Sequence, residues 1–339
     1  MQTYQITIEP LSAFGTPLKG DTFFGQFCWQ VAYDPSLLTG SLDDAVQGYP
    51  EQPFAVFSSA YPVITGGGVA LKRPDVPLER SVDFTGMSQG DLVGRRKELK
   101  KRKWLICTGT GALADLKQGR YLNDAELAAA AVPAEAIPAS CGQLAGISSE
   151  ALTSHNSINR LTGTTGEGFA PFSQSASFYL PGVQLTFFVG IDEAVLSVKC
   201  LAQGVERIGC SGFGRDASTG MGKFRLSHCE PVDLASYGAV SPNALYTLSP
   251  VTPETGSNSD CFFSPFTRFG RHGDQLAKST APFKNPVIMA DEGAVLVPKD
   301  MAKTLSKPYL GSGLNGISKV MKETVMQGYS LYIPIRLEV

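Results

Sequence analysis

No apolar run in this 339-residue chain approaches the roughly 20 residues that a membrane-spanning helix needs. The opening MQTYQITIEP lacks the basic and apolar blocks of a secretion signal, so the expectation is a soluble, cytoplasmic protein. Cysteine pairing is missing as a pattern. Seven cysteines (Cys28, Cys107, Cys141, Cys200, Cys210, Cys229, Cys261) are odd in number and scattered, with no C-x-x-C pair and no histidine at zinc-finger spacing. That excludes a disulfide framework and a zinc finger, and predicts reduced, mostly buried thiols. Net charge is nearly absent as well, at −2, which excludes a uniformly basic nucleic-acid binder.

The charge that is present is segregated. Residues 72–103 hold ten basic side chains against five acidic ones (Asp75, Glu79, Asp83, Asp91, Glu98), a local +5 that leaves −7 for the remainder. Within it, RRKELKKRK (Arg95 to Lys103) carries seven basic residues in nine. Such density self-repels unless solvent or an anion screens it. Two readings stand level: a solvated helix end anchored by Leu92 and Leu99, or a polyanion-binding patch offering Arg95, Arg96, Lys100 and Lys101.

A chain of this length implies about two domains, each able to bury its own core. Its pattern alternates strands and helices. TYQITIEP alternates Tyr4, Ile6 and Ile8 with polar residues, the period of a half-buried strand. After FGTPLKG, Asp21 can cap a helix whose Phe24, Phe27, Cys28 and Val31 form one apolar stripe. WLICT reads as a strand, and NDAELAAAAVP as a helix capped by Asn123 or Asp124 and stopped by Pro133. Residues 140–178, rich in Gly, Ser, Thr, Asn and Pro, read as a long loop between lobes. The plan then restarts: VQLTFFVGI as strand, DEAVLSVKCLAQGVERIG as helix, a glycine-rich loop, and KFRLSHC as strand. NPVIMADEGAVLVP gives two strands about an Asp-Glu-Gly turn, and YSLYIPIRLEV a last strand in which Pro334 marks an edge or bulge. The expected class is α+β, with two ferredoxin-like (RRM-like) domains: residues 1–140 with a basic insertion at 65–103, a polar connection at 141–178, and residues 179–339 carrying a glycine-rich loop at 209–224.

That loop, SGFGRDASTGMGKF, has glycines at 212, 214, 220 and 222. It is not a Walker A loop, because Ala217 replaces the first glycine and Phe224 follows Lys223 where Ser or Thr is needed. It is not a dinucleotide fingerprint either, since G-x-G-x-x-G from Gly212 fails at Ala217 and the loop leads from helix to strand. What remains is backbone bare enough for amides at Gly212, Gly214, Gly220, Met221 and Gly222 to approach phosphates, with Arg215, Lys223, Ser218 and Thr219 adding charge and hydroxyls. A mobile hairpin is the competing reading.

LSAFGTPLKGDTFFGQFCW, SHNSINRLTGTTGEG, GFGRDASTGMGKF and GYSLYIPIRLEV, in that order, resemble the RAMP superfamily of CRISPR effector proteins. Within it the chain is most similar to the family of fourth subunits of type III-A (Csm) complexes. NSINRLTGTTGE and TPLKGDTFFG carry most of the specificity, and EGAVLVP and YLGSGLNG add to it. SPFTRFGRHGDQL departs, being longer and more polar than the family's short Arg-Gly stretch. The resemblance implies two RRM-like domains that hold the 5′ handle of a CRISPR RNA, a large polymerase-cyclase subunit and an adjacent backbone RAMP subunit as partners, no catalysis and no cofactor. Single-stranded RNA is gripped through phosphates by Arg, Lys and free amides, and through bases by aromatic stacking. On that reading Lys19 and Thr22, the basic run, and His155, Asn156, Asn159, Arg160 and Thr162 join the glycine-rich loop in one surface. Phe213 and Phe172 are candidate stacking platforms, whereas Phe24 belongs to the core. The rival reading is a metal-independent endoribonuclease with a histidine base, for which only His155, His228 and His272 are available.

Overall fold

A computed structural model describes residues 1–84, 88–136, 144–165 and 170–338. Cys141 and residues 166–168 of the SHNSINRLTGTTGEG motif lie outside them. The chain opens with β1 (Gln2–Pro10), α1 (Gly20–Tyr33), α2 (Leu42–Gly48) and β2 (Ala55–Phe57). An insertion follows: β3 (Tyr61–Pro62), β4 (Val69–Lys72), α3 (Leu78–Ser81), α4 (Gln89–Lys101), β5 (Trp104–Cys107), β6 (Tyr121–Leu122), α5 (Asp124–Ala131), β7 (Ser148–His155) and β8 (Phe172–Tyr179). Then come β9 (Leu185–Ile191), α6 (Val198–Ser211) and β10 (Phe224–Pro231).

β1, β2, β9 and β10 form one antiparallel sheet in the order β10-β1-β9-β2, with β3 also pairing β9. The pairing reaches across the polar stretch at 141–178. β1 lies hydrogen-bonded between two strands from beyond it, because β2 to β9 is one interrupted hairpin and residues 61–180 are its insertion. α1 and α6 cover one face. They approach closely because α6 has a glycine where they cross: a Cβ on Gly204 would stand 2.4 Å from the Phe27 ring. Phe23 stacks on Phe187 at 4.3 Å and lies 4.6 Å from Phe213. Phe24 is buried against Tyr49 at 4.2 Å, as its place on the stripe requires.

The second sheet uses β11 (Ala244–Thr247), β12 (Asn258–Phe262), β15 (Val295–Pro298), β16 (Tyr309–Gly311) and β17 (Tyr329–Ile335), in the order β12-β15-β11-β17-β16. Its helix is the short α7 (Met301–Leu305), and β13 (Pro265–Arg268) pairs with β14 (Val287–Ala290) as a separate ribbon. The Asp-Glu-Gly turn thus joins strands of different sheets rather than a paired hairpin. β9 is buried along its whole length, Thr186 included, because both its faces are covered, by helices on one side and by β17 on the other. Buried Gln327 ties the sheets, accepting from the Phe57 N–H at 2.9 Å and donating to its carbonyl at 2.7 Å. β16 flanks β17 only over residues 329–331, so Pro334 sits where the strand is locally an edge.

Two local expectations change. Asp21 is not the cap of α1. Lys19 holds that position, and Asp21 points inward at 2% side-chain exposure to receive two hydrogen bonds from Arg268. Asn123, by contrast, caps α5 with a reciprocal bond from Glu126. Of the six described cysteines, all free, only Cys107 is buried, while Cys210 and Cys261 are exposed.

Candidate nucleic-acid interface

α6 must hand the chain back to β10 within a dozen residues, and the glycine-rich segment does this as a packed turn. Gly212 leaves the helix at φ 101°, which swings Phe213 fully into the core. Phe213 is thereby removed as a stacking platform, since its ring fills the space under α1. A Cβ on Gly222 (φ 73°) would stand 2.2 Å from the Phe213 carbonyl oxygen, one on Gly212 2.4 Å from that of Met221, and one on Gly214 2.5 Å from Thr16. Three of the four glycines therefore serve close packing. Gly220, at φ 95° with nothing within 4 Å, is the bare one.

The turn is strapped to residues 11–16. The Gly222 N–H donates to the Ala13 carbonyl at 2.7 Å, the Lys223 N–H to Ser12 Oγ at 2.8 Å, and the Arg215 N–H to Thr16 Oγ1 at 2.9 Å. Ser218 and Thr219 face outward, Met221 is half-buried, Arg215 pairs with Asp216 at 3.1 Å, and the exposed Lys223 ammonium has no ion pair among the described residues. Ser12 and Thr16 were missed by sequence reasoning. The polar LSAFGTP preceding α1 was their only signal.

The polar stretch expected as a loop is instead a β-hairpin. β7 and β8 pair over eight residues, from Ser148↔Tyr179 to His155↔Phe172. Its base joins the same strap: Phe14 and Ser177 exchange backbone hydrogen bonds at 2.9 Å, and Arg215 Nη2 donates to the Ser175 carbonyl at 2.5 Å. At its tip the Gly163 N–H donates to the Asn159 carbonyl at 2.8 Å and the Leu161 N–H to Asn159 Oδ1 at 2.9 Å. Thr162 and Thr164 share a hydroxyl bond at 3.0 Å. Asn156 and Arg160 are exposed there, Arg160 without an ion pair among the described residues, and Leu161 is 96% exposed. His155 stacks on the half-exposed Phe172 ring, centroids 5.3 Å apart. One continuous face thus holds the glycine-rich turn, residues 11–16 and the hairpin.

Other expected contacts lie elsewhere. The Lys19 ammonium, 12% exposed, is clamped between Asp291 at 2.5 Å and Glu292 at 2.6 Å, and lies over the Phe266 ring. Lys19 is therefore not a free cation for RNA, because the Asp-Glu-Gly turn neutralises it. Thr22 is half-buried in the first turn of α1, its N–H given to the Lys19 carbonyl. α4 is a helix with its own counter-charges: Arg95 pairs with Glu98 at 2.9 Å and Arg96 with Glu79 at 2.7 Å. Leu99 is buried and Leu92 half-buried, so both anchors hold. Lys100 and Lys101 remain exposed and unpaired among the described residues, yet no hydrogen bond or ion pair there links α4 to the hairpin or the turn.

Burial pushes the Asp291 carboxyl up, but its bond with Glu292 and the charges of Lys19 and Lys72 outweigh this and hold it down at about 2. Burial leaves Glu292 raised despite the pull of Lys19. Asp291, depressed in the fold, stabilises above the unfolded carboxyl value of about 3.9 and loses that contribution as pH falls toward 2. Glu292, raised, contributes fully below its unfolded value and loses that contribution as pH rises through its folded one. Lys19→Met removes the pull that keeps Glu292 ionisable. Its urea-denaturation stability is expected to improve, relative to the parent, between pH 7 and pH 5. Parallel curves for parent and variant would mean that Lys19 does not neutralise this pair.

The three histidines are scattered. His272 is buried and hydrogen-bonds Ser318 Oγ at 2.8 Å. His228 is exposed, against the burial expected of it, because β10 is an edge strand. Among the described residues none hydrogen-bonds a tyrosine, a lysine or a carboxylate, and no group of three or more His, Cys, Asp or Glu could hold a metal ion.

No protein-family model and no curated protein matches the sequence. Solved structures do. A chain of the Csm1–Csm4 cassette in complex with pppApA is 15% identical at TM-score 0.54, covering 100% of this chain and 99% of that one. The same cassette with cA4 gives 14% identity and TM-score 0.55, over 99% and 98%. A chain of the Csm3–Csm4 subcomplex of the type III-A CRISPR-Cas interference complex gives 10% and 0.58, over 98% and 99%. At these identities the likeness is one of fold. Csm4 is the component these complexes share, and the architecture described above is the Csm4 fold.

Proposed function

We propose that this chain is a non-catalytic, RNA-binding subunit of a type III CRISPR ribonucleoprotein effector complex in antiviral defence. In this reading it works in the cytoplasm, caps the 5′ handle of the crRNA, and links a large polymerase-cyclase subunit to an adjacent backbone RAMP subunit. The observation that carries the reading is the end-to-end likeness to a fold found in assemblies with both Csm1 and Csm3. The two sheets are read as two ferredoxin-like units. The first has the complete β-α-β-β-α-β path, and the second keeps the same strand order, with the 248–257 segment in place of its first helix and α7 as its second.

RNA is held on the face shared by the hairpin and the glycine-rich turn. Arg160, Arg215 and Lys223 meet phosphates, the bare backbone at Gly220 lets one approach, and Ser218 and Thr219 add hydroxyl donors. Asn156, Asn159 and Thr162 contact base edges or sugars, and the His155–Phe172 stack receives a base. Lys100 and Lys101 on α4 serve any longer RNA as outlying, sequence-independent contacts. The test is a mixture of purified protein and repeat-derived RNA in EDTA: retention of intact RNA supports the reading, and cleavage supports the endoribonuclease instead.

A further inference from the structure

Away from the RNA face, the second sheet carries a cleft of about 300 Å³, within the size range of small-molecule sites. Its floor is apolar. Leu245, Leu296 and Leu310 belong to a small cluster of their own, separate from the main core. Its rim carries three lysines: Lys303 lies in α7, which Asp300 caps, Lys307 follows two residues past the helix end, and Lys299 precedes the cap. All three ammonium groups lack an ion pair among the described residues. Two carboxylates share the rim, Asp300 accepting from the Lys303 N–H at 2.9 Å and Glu254 from Ser257 Oγ at 3.2 Å; both donors are neutral, so the carboxylates keep their charge and leave the rim cationic only by the excess of three lysines over two acids. Three unpaired cations around one concavity repel each other, and an anion seated among them relieves that repulsion. The apolar floor selects an anion with an apolar body rather than a bare ion.

We propose that this cleft binds a small phosphate ester bearing a flat apolar moiety, of the mononucleotide class, with its phosphate on Lys299, Lys303 and Lys307 and its apolar part on the leucine floor against Tyr309. The site is independent of the RNA reading, since it shares no residue with the hairpin face. The probe is AMP, titrated calorimetrically into the full chain at low ionic strength, with adenosine and inorganic phosphate as the separated halves. AMP is expected to bind at least about tenfold tighter than either half. Lys303→Ala/Lys307→Ala is expected to lose about tenfold in AMP affinity while Lys303→Arg/Lys307→Arg keeps most of it. Repeat-RNA affinity should be unchanged in both variants, which separates failure here from failure of the RNA assignment. No AMP binding by the folded chain, phosphate alone binding as tightly as AMP, or an alanine variant with undiminished AMP affinity would each overturn the proposal.

Discussion

Arg268→Ala is expected to destabilise the chain by about 3–5 kcal/mol, because it strands a buried carboxylate. Asp21 is 2% exposed and Arg268 16%, and the guanidinium forks onto both carboxylate oxygens at 2.5 and 2.7 Å. Attraction between the two charges only offsets the cost of taking them out of water, so the pair as a whole contributes little. Removing one member is what costs. The double variant Asp21→Asn/Arg268→Ala should accordingly recover most of the loss, and a cycle of urea denaturations on Asp21→Asn, Arg268→Ala and the double variant measures it. A single variant within about 1 kcal/mol of the parent would place this bridge among weak surface pairs. The pair also joins the start of α1 to the β13–β14 ribbon, beside the Lys19 clamp, so two buried ionic contacts fix that ribbon on α1.

The second large effect separates glycines that sequence alone cannot tell apart. Gly222→Val and Gly220→Val both force a β-branched residue to positive φ, at about 1–3 kcal/mol of backbone strain each. Only Gly222→Val also drives a Cβ to 2.2 Å from the Phe213 carbonyl oxygen, against the segment that carries the core phenylalanine. It is expected to lose cooperative folding. Gly220→Val meets nothing within 4 Å and should stay folded while losing about tenfold or more in RNA affinity, since its side chain occupies the path of a phosphate. Thermal melts and repeat-RNA titrations of both variants check this. A folded Gly220→Val that binds RNA as the parent does would leave the turn a purely structural device.

Local elements were legible wherever the sequence carried local chemistry. The alternation of β1, the Asn123 cap and the apolar run of β9 each have a cause within a few residues. Asp21 was misread because its partner lies 247 residues away, and a carboxylate in a first helical turn fits a cap equally well. The hairpin escaped because β7 and β8 are largely solvent-exposed, so SSEALTSH carries no apolar period to reveal a strand. An insertion between β2 and β9 looks the same, residue by residue, as a linker between two sheets. Of the candidate site, the glycine-rich turn and the base of the hairpin are brought together by residues 11–16. Lys19 and Phe213 were lost to a salt bridge and to the core, both tertiary facts.

The most direct test of the assignment is the affinity of the purified chain for repeat-derived RNA in EDTA, measured with and without the 5′ handle. Arg160→Ala and Arg160→Lys variants go beside the parent. The expected result is intact RNA throughout, binding that weakens when the handle is removed, and comparable losses for both variants, because lysine keeps the charge but not the planar fork. Cleaved RNA, or binding indifferent to the handle and to Arg160, would contradict a non-catalytic handle-binding role for the hairpin face.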